Sequence, residues 1–190
     1  MKKVLFLAFA AIITSVVISS CSHNDSYDST YSLLTMQSAQ IDSFVLANGL
    51  DMTNDQISNA SGVVSNLYSW GDTTKKVSQD SSVVNFTISV WGINNQLYYT
   101  SSDSTLKFDF VNTSSNSTLV NNLIYSSGSI LYYYLSILGT GGQIDFITPS
   151  LYQYGSTSVT LGNQTIPANS PIYYQLQIKS ITTSSASAVN

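Results

Sequence analysis

Leu138 to Ile178 reads LGTGGQIDFITPSLYQYGSTSVTLGNQTIPANSPIYYQLQI, and its punctuation decides the fold. Glycines at 139, 141 and 142 make a turn, after which Ile144 and Phe146 begin a short strand. Pro149 ends it, because proline cannot donate to a ladder. Tyr152 and Tyr154 follow, and Gly155 closes a second turn. An irregular loop is expected up to Ile166-Pro167. The last segment alternates Ile172, Tyr174, Leu176 and Ile178 against Tyr173, Gln175, Gln177 and Lys179. That is the period of a strand with one buried face and one wet face.

Working outward, Val83 to Trp91 alternates Val84, Phe86, Ile88 and Val90 with polar residues. Asn94-Asn95 offers a tight turn, since asparagine tolerates left-handed backbone. A return strand at Gln96–Thr100 follows, and Leu106, Phe108 and Phe110 alternate in another. Ser129 to Leu138 reads as a short helix ended by Gly139. Its consecutive Tyr132, Tyr133 and Tyr134 cannot share one face, so at least one is expected to be exposed. Strands are therefore expected at 83–91, 96–100, 106–110, 143–148 and 171–181.

This ordered set resembles the FKBP-type peptidyl-prolyl isomerases. There a glycine turn leads to an apolar strand, a Pro-Ser-x-Leu-x-Tyr-Gly segment, a loop, Ile-Pro and a closing strand. Pro149, Ser150, Tyr154, Gly155, Ile166 and Pro167 stand in those places, and Gly141 to Pro149 is a step of eight residues, as in the family. The run Tyr99, Thr100, Ser101 and Ser102 is similar to the family's Phe-Asp-Ser-Ser, and Leu106 to Phe110 to its Phe-x-Phe. The resemblance implies an α+β fold: a curved antiparallel β-sheet wrapped around a short helix, with a small N-terminal helical extension.

Met1 to Ser20 reads as an export signal, with Lys2 and Lys3 ahead of an apolar run that is short for a membrane span. Ile18-Ser19-Ser20-Cys21 resembles a bacterial lipobox, which makes Cys21 the lipidation site. Cys21 is the single cysteine, and a lone thiol in an oxidising compartment has no structural partner. The implied organisation is 1–20 lipoprotein signal peptide, 21–30 polar tether, 31–80 N-terminal helical extension and first strand, 81–182 FKBP-like domain, and 183–190 disordered tail. In 31–48, Leu33, Leu34, Ile41, Phe44 and Val45 recur at helical spacing, and Asn48-Gly49 is a helix stop. A short helix there, then Ser-Gly-Val and a strand, is similar to the extension of FKBP-type lipoproteins from the Bacteroidetes.

Only 8% of residues are charged and the net charge is −4, which speaks against nucleic acid as a partner. Hydrophobic residues make up 43%, enough to build a core. The one histidine, His23, lies in the tether, and no carboxylates have ligand spacing, so neither a metal nor another cofactor is expected. Gly139-Thr140-Gly141-Gly142 lacks the residues that complete a phosphate loop.

Rotation about an Xaa-Pro bond opposes a barrier of roughly 18–20 kcal/mol and breaks no bond, so a chain without a nucleophile or usable base is compatible with that chemistry. An apolar pocket favours the less charge-separated twisted amide. The resemblance implies a pocket of Phe86 (or Ile88), Tyr99 (or Tyr98), Leu106, Leu131 (or Ile130), Ile166 and Tyr174, with the Tyr154 hydroxyl, the catalytic candidate, on the substrate carbonyl. The family's pocket acid falls at Thr100 and its floor tryptophan at Leu131, departures that imply reduced activity. The Val-Ile pair ahead of that floor finds no counterpart at Ser127-Gly128. Three functions follow as expectations. The first is an envelope-anchored isomerase held by its lipid in the outer membrane, on the periplasmic or surface side, acting on proline-containing segments of exported proteins. The others are the same fold binding without turnover, and a β-rich surface lipoprotein whose exposed tyrosines suit sugars.

Overall fold

A computed structural model describes residues 25–77, 82–101, 104–110, 117–124 and 127–183. The leader, Cys21 and the tail from residue 184 lie outside the described residues. In chain order the elements are α1 (Asp25–Asn48), β1 (Thr53–Asn54), β2 (Val64–Ser69), β3 (Ser82–Gly92), β4 (Leu97–Thr100), β5 (Leu106–Asp109), α2 (Thr118–Leu123), α3 (Ile130–Ile137), β6 (Gln143–Thr148), a 3-10 turn (Ser150–Tyr152), β7 (Val159–Leu161), β8 (Gln164–Ile166) and β9 (Ile172–Thr183).

The sheet is antiparallel at every pairing, in the order β1-β2-β6-β9-β3, and β3 then meets β4 and β5 along its far edge. β9 is central, with β3 on one side from Gly92↔Ile172 to Ser82↔Thr183 and β6 on the other. Between Asn85↔Ser180 and Phe86↔Ile178 the register slips by one residue at Lys179. Such a bulge bends the strand and raises its twist, so Ile172, Tyr174, Leu176 and Ile178 all face a concave side. The far edge of β3 is shared end to end by β4 and β5, and Ser101 fills the gap between them. Its Oγ accepts from Ile88 N at 2.7 Å and its own N–H donates to Ile88 O at 2.9 Å, replacing ladder bonds.

α3 lies against the concave face as expected, started by Ser129, whose Oγ accepts from Tyr132 N at 3.2 Å. Ile130, Leu131, Tyr134 and Leu135 are buried beneath it. Neither Tyr132 nor Tyr133 is fully exposed, contrary to the expectation for that run. Tyr132 packs on Phe108 and Phe110, and Tyr133 donates to Ile57 O at 2.8 Å. The β1–β2 connection and the β5 strand lap over the helix flanks and cover them.

Five more differences have physical causes. The N-terminal helix is 24 residues long rather than short and begins at Asp25, inside the stretch read as tether. It ends where expected: Leu50 N bonds Val45 O at 3.0 Å and Gly49 N bonds Leu46 O at 3.3 Å, with Gly49 at φ +60. β2, assigned to the extension, pairs with β6 and so belongs to the main sheet. The side of β9 expected to be wet is covered at one end by α1, where Ile41 and Phe44 pack with Val64, Ile147 and Tyr173. The loop before Ile166 is a hairpin, β7 with β8, turned at Gly162 with φ +60. α2 has no counterpart in the expected elements; six residues are too few for an amphipathic period to declare itself.

α1 approaches the β1–β2 loop closely at Gly62. A Cβ there would lie 2.3 Å from Ser38 Oγ and 3.2 Å from Pro149 Cγ, and φ is +77. Gly62→Ala therefore loses about 1–2 kcal/mol of unfolding free energy through the left-handed backbone alone, read by urea denaturation. An unchanged midpoint would show that this contact is not tight.

Candidate functional site

The concave face holds an aromatic stack that crosses from helix to sheet. The Tyr134 ring of α3 lies 4.7 Å from Phe146 of β6, and Phe146 lies 4.8 Å from Tyr174 of β9, nearly parallel at 24°. The last contact follows from register, because Phe146 and Tyr174 are direct partners, as are Val90 and Tyr174 on the other side.

Tyr154 enters this group from the turn after β6. Proline at 149 stops the ladder, the 3-10 turn reverses the chain, and Gly155 at φ +56 lets Gly155 N reach Ser150 O at 2.7 Å. The Tyr154 side chain is thereby folded inward, 4% exposed. Its hydroxyl points at the Leu123 carbonyl at the end of α2, at 3.5 Å. Gln153 Nε2 donates to the same carbonyl at 2.7 Å. Burial pushes the Tyr154 phenol upward, and the neighbouring Tyr174 and Gln153 side chains oppose the shift. The Tyr174 hydroxyl is fully buried and pushed well up, first by desolvation and then by the facing Tyr154 hydroxyl. Tyr174 Oη and Gln153 Oε1 have no partner in hydrogen-bonding geometry among the described residues.

Phe86, Leu131, Ile166, Tyr174 and Tyr154 meet in one buried apolar cluster, with Tyr99 and Leu106 half-buried against its rim. Of the alternatives, Ile88, Ile130 and Tyr98 are buried in the same cluster. Tyr99 stands opposite Val90 and so shares the concave face, whereas Tyr98 sits at a bulge. Leu106 is the register partner of Phe86. Ile166 is delivered by the β7–β8 hairpin, which is tied to α2 by Asn122 Nδ2 to Thr160 O at 3.0 Å and to the β3–β4 turn by Gln96 to Gln164 at 3.3 Å. Gln153, Tyr134 and the buried pair Leu123-Ile124 were not singled out from the sequence. Leu123 and Ile124 are buried at the end of α2, and an apolar pair after Asn121-Asn122 was the available signal.

A curved antiparallel sheet closed over one short helix, with this turn and hairpin at its mouth, is the architecture the resemblance implies. The fold is FKBP-like. No protein-family model matches the sequence, and no curated protein does. Among solved structures, the N-terminal domain of FKBP42 from Arabidopsis thaliana is similar at 12% identity and a TM-score of 0.48, over 63% of this chain and 86% of that one. FkpA from Escherichia coli is similar at 16% identity and a TM-score of 0.49, over 83% of this chain and 66% of that one. A peptidyl-prolyl cis-trans isomerase from Pseudomonas syringae pv. tomato is similar at 13% identity and a TM-score of 0.48, over 80% and 96%. Likenesses at this level carry no argument about activity.

Among the described residues two acids are buried, and both serve as acceptors. Asp55 takes hydrogen bonds from Ser58 N at 2.8 Å, from Ser58 Oγ and from Ser65 Oγ at 2.7 Å. Desolvation alone would raise its carboxyl, but the Ser58 and Ser65 bonds outweigh it and hold the group below the usual range. Asp145 Oδ2 accepts from Tyr173 at 2.8 Å and from Gln175 at 3.3 Å. The described residues contain no group of three metal-ligating side chains.

An unpartnered buried hydroxyl costs roughly 1–3 kcal/mol. Tyr174→Phe removes it without changing the ring, so unfolding in urea shifts to higher denaturant, by about 1 kcal/mol. A shift the other way would mean that the hydroxyl is satisfied.

Proposed function

We propose that this chain is a peptidyl-prolyl cis-trans isomerase, anchored at the cell envelope by a lipid on Cys21 and acting on proline-containing segments of exported proteins. The observation that carries the isomerase reading is the convergence of Tyr154, Ile166, Leu131 and Tyr174 in one apolar cluster. It sets the Tyr154 phenol among apolar walls that exclude water. Tyr154 holds the carbonyl that precedes the proline while Ile166, Leu131 and Tyr174 take the ring. The chain needs only to bind the twisted amide better than the planar one. The present bond from Tyr154 to the Leu123 carbonyl is 3.5 Å long, at the weak limit of such contacts, so a substrate carbonyl replaces it at little cost.

A second reading, binding without turnover, has its own observation. Leu131, Ile166 and Tyr174 have no exposed surface, and a site packed so fully gives up cohesion before it accepts a proline ring.

Exchange spectroscopy on a short Xaa-Pro peptide separates the two. The isomerase reading expects faster exchange with wild type and a several-fold slowing in Tyr154→Phe, since a neutral hydrogen bond contributes about 0.5–1.5 kcal/mol. Peptide that binds while exchange stays at its uncatalysed rate would replace the first reading by the second.

Anchoring has a separate test. Mass spectrometry of the mature protein is expected to show cleavage before Cys21 and an acylated cysteine. A stable anchor needs more than one acyl chain at about 0.8 kcal/mol per buried CH₂. An unmodified N-terminus at another residue would remove the anchor from the proposal.

A further inference from the structure

Gln37 is the one fully buried polar residue among the described side chains of α1, on the same face as Ile41 and Phe44. Both ends of its amide are engaged with the chain more than a hundred residues away. Nε2 donates to Asn169 O at 2.7 Å, and Oε1 accepts from Ser150 N at 2.8 Å. Ser150 Oγ lies 3.0 Å from Nε2 and 3.2 Å from Oε1. Two backbone bonds close the circuit. Gly155 N donates to Ser150 O at 2.7 Å, and Asn169 N donates to Gly155 O at 2.8 Å. The result is a ring running Gln37, Ser150, Gly155, Asn169 and back to Gln37. Gly155 and Asn169 both hold left-handed backbone within it, at φ +56 and +55.

Tyr154 is the residue immediately before Gly155, and the ring fixes both the turn that presents Tyr154 and the loop that follows Ile166. Without Gln37, Ser150 N is left unpaired in a buried place and Asn169 O in a partly buried one, which the loops relieve by moving. We infer that Gln37 is a positioning residue, through which α1 holds the Tyr154 phenol from the convex side of the sheet. This rests on the reading of Tyr154 as the substrate-facing hydroxyl. It makes α1 a working part of the site rather than an appendage.

The test is Gln37→Met, similar in length and unable to make the bonds, in the complete mature chain. Amide hydrogen exchange at Gly155 and Asn169 is expected to speed up about tenfold, the factor for losing one such bond or slightly more, with the amides of β3 and β9 unchanged. The Tyr154 ring resonances are expected to shift. On an Xaa-Pro peptide, kcat falls several-fold at a steady KM, and the effect disappears in a Tyr154→Phe background. Unchanged protection at Gly155 and Asn169 overturns the inference. So does a uniform increase across β3 and β9, which would make Gln37 a general stabiliser. If Gln37→Met does not fold, Gln37→Glu, which keeps an acceptor for Ser150 N and removes the donor to Asn169 O, is read by the same pattern. If wild type shows no peptide exchange, the isomerase reading fails by itself, and the amide pattern with the Tyr154 resonances still decides whether Gln37 positions that side chain.

Discussion

The pairing of β9 along both of its edges is the constraint from which the rest follows. A strand bonded on two sides must have its side chains sorted, because a slip of one residue exchanges the faces. The bulge at Lys179 applies that rule locally. It turns a flat ladder into a curved one and gives the concave side enough depth to hold α3 and the stack of Tyr134, Phe146 and Tyr174. The convex side is left to α1, which covers only the end marked by Tyr173 and Ile147.

How much of this was legible in the sequence depends on the residue. Alternation at Val84, Phe86, Ile88 and Val90, and at Ile172 to Ile178, announces two strands and their inward faces, since a half-buried strand imposes a period of two. Pro149 and Gly155 announce the turn that folds Tyr154 inward. Tyr173 was read as wet because periodicity reports only that the two faces differ, and cannot tell that a helix from elsewhere covers one of them. The 159–166 hairpin was read as irregular because three-residue strands show no usable period. Gln37 was passed over for the opposite reason. A lone glutamine on a helix looks solvent-facing, and its value lies in partners at positions 150 and 169, invisible at a distance in sequence.

The site was legible as a set of residue types and illegible as a space. Phe86, Leu131, Tyr154, Ile166 and Tyr174 do come together, as the ordered motifs imply. Their near-complete burial, and the engagement of Tyr154 with the Leu123 carbonyl, depend on α2, which no motif marked. The chain also carries few charges, and the acids buried among the described residues are satisfied by hydroxyls and amides rather than ion pairs. Asp55 and Asp145 are both held in that way.

The position of β9 has a consequence for the order of assembly. It is the centre of the sheet and the last strand among the described residues, so the edges that β3 and β6 turn toward it stay unpaired until β9 has been synthesised, even after β4 and β5 have joined β3 and β2 has joined β6. Gln37 must likewise wait for partners 113 and 132 residues downstream. Contacts this remote in sequence demand loop closure before they return any stability. Those two inner edges of the nascent chain therefore remain unprotected until β9 arrives. Such a topology completes its sheet late, and it keeps the polypeptide threadable for as long as β9 is held back.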